Sequence, residues 1–184
     1  MKQDFAGFKR AGEKLSIVFA QTIKYIDIGM SLAEIDRFAD DLIKKTGGQA
    51  NFKKVPGYSW ATCINLNDGV VHGVPDKKKI KKGDLVSLDM GLVLDGWNVD
   101  MAYTIQLGEV DDPQFQKEIN KFLNIGKIAL NRAISVAQVG RYIGDISCKI
   151  EETITSAGYS CSRDLTGHGI GRSLHNPPWI PCVL

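Results

Sequence analysis

Asp89 and Asp100 stand eleven residues apart in the stretch Asp84-Leu-Val-Ser-Leu-Asp-Met-Gly-Leu-Val-Leu-Asp-Gly-Trp-Asn-Val-Asp-Met-Ala-Tyr-Thr-Ile-Gln106. Two carboxylates held near one another repel, and a shared proton or a bound cation relieves the repulsion. The chain has three histidines: His72 in Val70-Val-His-Gly-Val-Pro75, and His168 and His175 in Thr166-Gly-His-Gly-Ile-Gly-Arg-Ser-Leu-His175. A lone histidine on an apolar strand is more often a hydrogen-bonded core residue than a ligand, but His72 and His168 adjoin glycines, where a ligand can approach the backbone closely. Imidazole together with a carboxylate pair suits a divalent Mn, Fe, Co or Zn ion. Gly167-His-Gly-Ile-Gly171 is a poor dinucleotide loop, since no helical pattern follows it and no acidic residue stands about 20 positions on.

The pairing of the two aspartates depends on the elements that carry them. Asp95-Gly96 between alternating apolar residues is a two-residue hairpin signal. If Leu94 faces Trp97 across that turn, Met90 faces Met101 and Asp89 faces Ala102. Asp100 then lies diagonally across from Asp89, and both carboxylates project from one face. The opposite face, Val86, Leu88, Met90, Leu92 and Leu94 with Trp97, Val99, Met101, Tyr103 and Ile105, is continuously apolar and predicts burial. The aspartate face also carries Ser87, Gly91, Asn98, Ala102 and Thr104. An ordinary solvated face is the alternative reading. Such faces normally bear long Lys, Glu and Arg side chains, and between Leu85 and Gln106 there are none. Small residues around two acids predict a pocket lining instead.

The remaining elements read in order along the chain. Phe8 to about Tyr25 predicts an amphipathic helix, and Ser31-Leu-Ala-Glu34 is a capping box opening a second helix that Gly47-Gly48 stops. Residues 50–72 predict short strands, with Ala61 to Leu66 before an Asn67-Asp-Gly turn and Val70-Val-His72 after it. After the hairpin at 84–107, Pro113 starts a long helix to about Ala137. Ile143 to Ala157 predicts another, and the chain from Tyr159 onward is extended and glycine-rich. Helix, helix, strands and hairpin, then helix, helix and strand, suggests a single domain over 1–184 built of two related halves, about 1–110 and 111–184, the second unfinished.

Composition excludes several classes. The 184 residues, 43% hydrophobic, suffice for one sizeable core. A net charge of +2 is too small to predict DNA binding. No apolar run approaches the ~18 residues of a membrane span, and the first residues lack a signal peptide's apolar core. Cys63, Cys148, Cys161 and Cys182 form no Cys-x-x-Cys pair and read as reduced, largely buried thiols of a cytoplasmic protein. The lysine run from Asp76 to Asp84 predicts a solvated loop keeping a sheet edge soluble, with a contact to the ribosome as the functional alternative.

Val70-Val-His-Gly-Val-Pro75, the spacing of Ser87-Leu-Asp89 to Asp100 across an Asp-Gly turn, Asp164-Leu-Thr-Gly-His-Gly-Ile-Gly-Arg172 and the second histidine at 175 together resemble the type I methionine aminopeptidases. The resemblance spans nearly the whole chain. It implies an α+β pita-bread fold, two pseudo-symmetric halves around a curved antiparallel sheet, and removal of the initiator methionine from nascent polypeptides by a monomer. It also implies two divalent metal ions, Co, Mn, Fe or Zn. Asp89 would ligate one of them, Asp100 would bridge the two, and His168 would ligate the second. His72 would contact substrate and assist proton transfer, His175 would donate to the scissile carbonyl, and Tyr58 and Cys63 would wall the methionine pocket. A metal pair supplies both a nucleophile at neutral pH and a polarised carbonyl. An oxyanion donor of the His175 kind is worth roughly 3–4 kcal/mol where one has been removed.

The chain departs from that family in one decisive respect. Complete members carry two glutamates after the second histidine, one a metal ligand and general base, the other a bridge. Here nothing acidic follows Asp164, and the chain ends on Pro177-Pro-Trp-Ile-Pro-Cys-Val-Leu184. Glu118, Glu151 and Glu152 fall on predicted helices and are poor substitutes. Three ligands hold one metal but not the pair. The expectation is therefore a C-terminally truncated enzyme, inactive or nearly so as it stands, with uncovered apolar sheet surface and a tendency to aggregate. Gly91 and Asn176 are smaller departures, at positions where the family commonly has a polar residue near the metal and a glutamate. A proline-specific peptidase of the same fold and a non-catalytic binding module that kept the fold are the rival readings.

Overall fold

The computed structural model describes residues 5–184. The chain divides into two compact units: Met1–Val110 with Gly171–Leu174, and Asp111–Ile170 with His175–Leu184.

In the first unit, α1 (Phe5–Tyr25) and α2 (Leu32–Lys45) precede β1 (Gln49–Ala50), a short 3-10 helix at Phe52–Lys54, β2 (Thr62–Leu66), β3 (Leu85–Leu94) and β4 (Trp97–Gln106). The capping box of α2 forms as its sequence predicts. Ser31 Oγ accepts from the Glu34 N–H at 3.3 Å, and Glu34 Oε2 accepts from the Ser31 N–H at 2.7 Å. Those bonds satisfy donors that every helix start leaves open. One stripe of α1, Ala11, Leu15, Val18, Phe19 and Thr22, and one of α2, Leu32, Ile35, Ala39 and Ile43, are buried.

The sheet is antiparallel and centred on β3. One edge of β3 pairs with β4 along its whole length, in the register Leu94↔Trp97, Met90↔Met101 and Asp89↔Ala102. Its other edge is shared, β2 pairing with Val86–Met90 and β1 with Leu92 and Val93. Asp95 and Gly96 both take positive φ, +49° and +75°, the conformation a two-residue turn requires to match strand twist. The α1 helix lies across β3 and β4, where Val86, Leu88, Met90 and Leu92 are fully buried with Ile35, Ile43 and Ile64. Each such side chain contributes about 1.5–3 kcal/mol through loss of contact with water.

The apolar face is less completely covered than its alternation predicts. Met101 and Tyr103 are 37% and 40% exposed, whereas Trp97 and Val99 are buried. Trp97 packs edge-on against Phe8, and the Arg172 guanidinium lies 3.9 Å from its ring centroid. The first-helix stripe thus covers β3 and the start of β4, and the far half of β4 emerges from beneath it. Val70-Val-His72 is not a strand, and all three residues are exposed. Its backbone turns instead, with His72 at φ +54°.

The second unit comprises α3 (Pro113–Val136), α4 (Ile143–Ser156), β5 (Thr166–Gly169) and β6 (Asn176–Pro181). Asp112 caps α3 by accepting from the N–H groups of Gln114 and Phe115, and Pro113 takes the first helical position, where no N–H is needed. Arg132 Nη1 donates to Thr153 Oγ1 at 3.2 Å between α3 and α4. Ser147 Oγ donates to the Pro181 carbonyl at 2.7 Å, tying α4 to β6. Strands β5 and β6 are antiparallel, with an irregularity at His168/Gly169. Among the described residues no helix is long and apolar enough to cross a membrane.

Candidate metal centre

Strand parity assembles the centre's polar floor. Residues paired across strands point to one face, so Cys63, Asp89 and Ala102 form one row across β2, β3 and β4. Asn65, Ser87 and Thr104 form the row on one side, and Ser87 Oγ and Thr104 Oγ1 are hydrogen-bonded at 2.8 Å. On the other side Gly91 pairs with Asp100. Both carboxylates are half-buried and stand one register step apart on this face.

The wall beside Asp89 is tied together by hydrogen bonds. The Tyr58 hydroxyl lies 2.8 Å from the Thr62 carbonyl and 3.2 Å from the Gly73 carbonyl, and its ring packs edge-on against Trp60. Burial pushes the Tyr58 hydroxyl well above its ordinary range, and the neighbouring Cys63 and the charges of Asp36 and Asp89 add to the effect. Burial likewise pushes up the Cys63 thiol, with Asp89 and Asp36 adding to it, while a hydrogen bond with Tyr58 opposes. Cys63 is therefore kept neutral, a poor metal ligand and a suitable small apolar wall. All four cysteines are free thiols; Cys63 is buried and the other three are half-buried.

Asp36 organises the start of β2 from beneath. Its Oδ1 accepts from the Ala61 and Thr62 N–H groups at 2.9 Å and from Thr62 Oγ1 at 2.8 Å. Burial nevertheless raises its carboxyl above the ordinary value. His72 sits on the loop that β2 holds through Ile64 N–H to the Gly73 carbonyl, 3.0 Å. A Cβ at residue 73 would overlap the Ile64 carbonyl oxygen, so only glycine permits that approach. Left-handed backbone at a non-glycine residue is costly and accumulates at functional sites.

His168 and His175 meet in the second unit, ring centroids 4.6 Å apart and nearly perpendicular. His168 Nδ1 lies 3.0 Å from the Gly169 carbonyl. A carbonyl only accepts, so Nδ1 is the donor in this contact, the same second hydrogen bond that orients metal-binding imidazoles. In the first unit the segment between them is fastened to β4. Asn98 N–H donates to the Gly171 carbonyl at 2.7 Å, its Nδ2 donates to the carbonyls of Gly171 and Arg172, and Arg172 Nη1 donates to the Asp95 carbonyl at 2.9 Å.

The structure thus gathers Tyr58, Cys63, Asp89 and Asp100 on one side of the hairpin sheet, with His72 on an adjoining loop, and pairs His168 with His175. Among the described residues no group of three His, Cys, Asp or Glu side chains is placed to hold a metal ion. The donor set present, two carboxylates on one rigid face, suits a divalent cation but completes no shell by itself. One polar residue of this floor escaped the sequence reading. Asn51 is 1% exposed, and its Oδ1 is a buried oxygen without a hydrogen-bond partner. Only a glycine interrupting a polar face at residue 91 hinted that a side chain from outside the hairpin fills the gap.

Residues 6–182 match metallopeptidase family M24. The chain is 35% identical over 180 residues to a methionine aminopeptidase of Borreliella burgdorferi, covering 98% of this chain and 70% of that protein. Its backbone superposes on the crystal structure of a Thermotoga maritima methionine aminopeptidase with a TM-score of 0.91 at 35% identity, covering all of this chain and 72% of that one. A prolidase from Pyrococcus furiosus has the same fold at a TM-score of 0.83 and 26% identity, but this chain covers only 51% of it. The chain belongs to metallopeptidase family M24, and within it to the methionine aminopeptidases. Its fold is the pita-bread fold, of which these residues span about 70% of the aminopeptidase length.

Proposed function

We infer that this chain serves metal-dependent hydrolysis of the bond after an N-terminal methionine, acting in the cytoplasm on the N-termini of nascent polypeptides. The observation that carries the reading is the carboxylate pair, Asp89 and Asp100, on one face of a hairpin in a methionine aminopeptidase fold. The greater share of the aminopeptidase chain covered, 72% against 51% of the prolidase, favours methionine removal over cleavage beside proline.

Asp89 and Asp100 would hold divalent metal, Asp100 as the bridging ligand, and His168 would add a further ligand. Metal bound there would lower the pKa of water and polarise the scissile carbonyl. His175 would donate to that carbonyl as negative charge develops on its oxygen, and His72 would contact the substrate and move a proton. Tyr58 and the neutral Cys63 would wall the pocket for the methionine side chain, which needs apolar surface and no charge.

These 184 residues contain no acidic side chain after Asp164, so the two glutamates expected after the second histidine are not among them. By themselves they would release methionine slowly or not at all. The test is release of methionine from Met-Ala and Met-Gly peptides, with an x-Pro peptide as control. The 184-residue protein is compared with the same chain extended by the remaining portion of the Thermotoga maritima aminopeptidase. Chelator-sensitive methionine release by the extended chain alone is expected. Preference for the x-Pro peptide would sink the substrate assignment, and equal release by the 184-residue protein would sink the claim of an incomplete ligand set.

A further inference from the structure

We propose that Asn51 supplies a third, neutral oxygen to the cation held by Asp89 and Asp100, and that residue 91 is glycine to make room for it. The proposal rests on the reading of those aspartates as metal ligands. Pairing of β1 with β3 runs Gln49↔Val93 and Ala50↔Leu92, so the next position aligns Asn51 with Gly91. The Asn51 N–H donates to the Gly91 carbonyl at 3.4 Å. Gly91 in turn pairs with Asp100. Asn51, Gly91 and Asp100 therefore form one row across the polar face, beside the row of Cys63, Asp89 and Ala102.

The carboxamide lies over Gly91 and reaches β4. Nδ2 donates to the Val99 carbonyl at 3.2 Å and to the Leu92 carbonyl at 3.4 Å. Both partners are carbonyls, which only accept, so the amide orientation is determined and Oδ1 points away from them. A Cβ at residue 91 would overlap Oδ1 and come within 2.7 Å of the Val99 oxygen, so the Asn51 side chain occupies the space a residue-91 side chain would take. Oδ1 is buried and has no hydrogen-bond partner. Buried acceptors of that kind are rare, and a bound ion is one of the partners that accounts for them. A carboxamide oxygen is a hard neutral ligand, and beside two carboxylates it makes the hairpin side of the centre an all-oxygen set. Such a set suits Mn2+ or Mg2+ better than a soft ion.

The test is calorimetric titration of Mn2+ into the 184-residue protein and its Asp100→Asn and Asn51→Ala variants. Loss of binding in Asp100→Asn and affinity at least about tenfold weaker in Asn51→Ala are expected, the scale at which supporting groups act at metal sites. In the unsubstituted protein, the 13C resonance of the Asn51 side-chain carbonyl should move on saturation with diamagnetic Mg2+, a readout that needs no variant to fold. Unchanged Mn2+ affinity in Asn51→Ala, or a stationary Asn51 resonance at saturating Mg2+, would overturn the Asn51 assignment while leaving the aspartate site standing. No Mn2+ binding by the unsubstituted protein, or equal binding by Asp100→Asn, would overturn both.

Discussion

Asp100 lies one register step from Asp89 on the same face of the β3–β4 hairpin, because Asp89 pairs with Ala102 and Gly91 pairs with Asp100. Both side chains are half-buried on a sheet whose opposite face is locked beneath α1. A one-residue slip of register would turn one set of side chains over, exposing the buried Leu88, Met90 and Leu92. The apolar core therefore enforces the carboxylate pairing.

Metal should stabilise the fold through this pair. At a Mn2+ concentration 100-fold above Kd, linkage predicts about 2.7 kcal/mol of added stability. Thermal melts with and without Mn2+ should show that increment in the unsubstituted protein and almost none in Asp89→Asn or Asp100→Asn. Equal increments in all three would show that the metal binds elsewhere.

Gly73→Ala should damage both the fold and the His72 loop. The new Cβ overlaps the Ile64 carbonyl oxygen, which must move and break the Ile64 N–H bond to the Gly73 carbonyl. Overpacking of this kind costs about 1–3 kcal/mol. Chemical denaturation should report a loss in that range, and the extended enzyme should lose turnover at the same time, since His72 adjoins the substituted residue.

Tyr58→Phe should be milder and more selective. It removes one hydroxyl shared between the Thr62 and Gly73 carbonyls while keeping the ring against Trp60. The stability cost should be about 1 kcal/mol. In the extended enzyme KM for a methionyl peptide should rise more than kcat falls, because the pocket wall loosens without touching the carboxylates. A fall in kcat alone would place Tyr58 in the chemistry rather than the wall.

Asp40 should give the fold a measurable acid dependence. Burial alone would raise its carboxyl, but hydrogen bonds at 2.7 Å from Lys44 and 2.8 Å from Lys53, with their charges, outweigh it and hold the group below its ordinary value. A depressed folded-state value means the stabilisation is complete above the unfolded pKa of about 3.9 and is lost as pH falls through the folded value. Asp40→Asn should therefore cost about 1 kcal/mol at pH 7, allowing for the exposure of the two lysines. That difference should shrink as pH falls below the unfolded value of about 3.9 and close once the folded carboxyl is itself protonated. A deficit unchanged at low pH would mean packing rather than charge.

Local pattern was enough for much of this molecule. Ser31 and Glu34 marked the start of α2, Pro113 marked the start of α3, and Asp95-Gly96 set the hairpin and its register, because caps and tight turns are decided by a few adjacent residues. The same alternation placed Asp89 and Asp100 on one face. It overstated burial at Met101 and Tyr103, since alternation tells which face a side chain takes and not how far α1 extends over it. It also read a strand at Val70–His72, where apolar β-branched residues favour extension but the close approach of Gly73 to Ile64 imposes a turn.

Period and motif alone thus determined the family, the hairpin and the parity of its acids. The tertiary structure decided what stands beside them. Asn51 reaches carbonyls 41 and 48 residues away, Tyr58 bonds a carbonyl 15 residues on, and Asp36 fastens the start of β2 from 25 residues before it. No local pattern encodes such contacts, because they depend on which strand settles against which edge of β3. The pairing of β1 beyond the end of β2 brings Asn51 over Gly91, and that packing fills the space left by a missing side chain on the aspartate face.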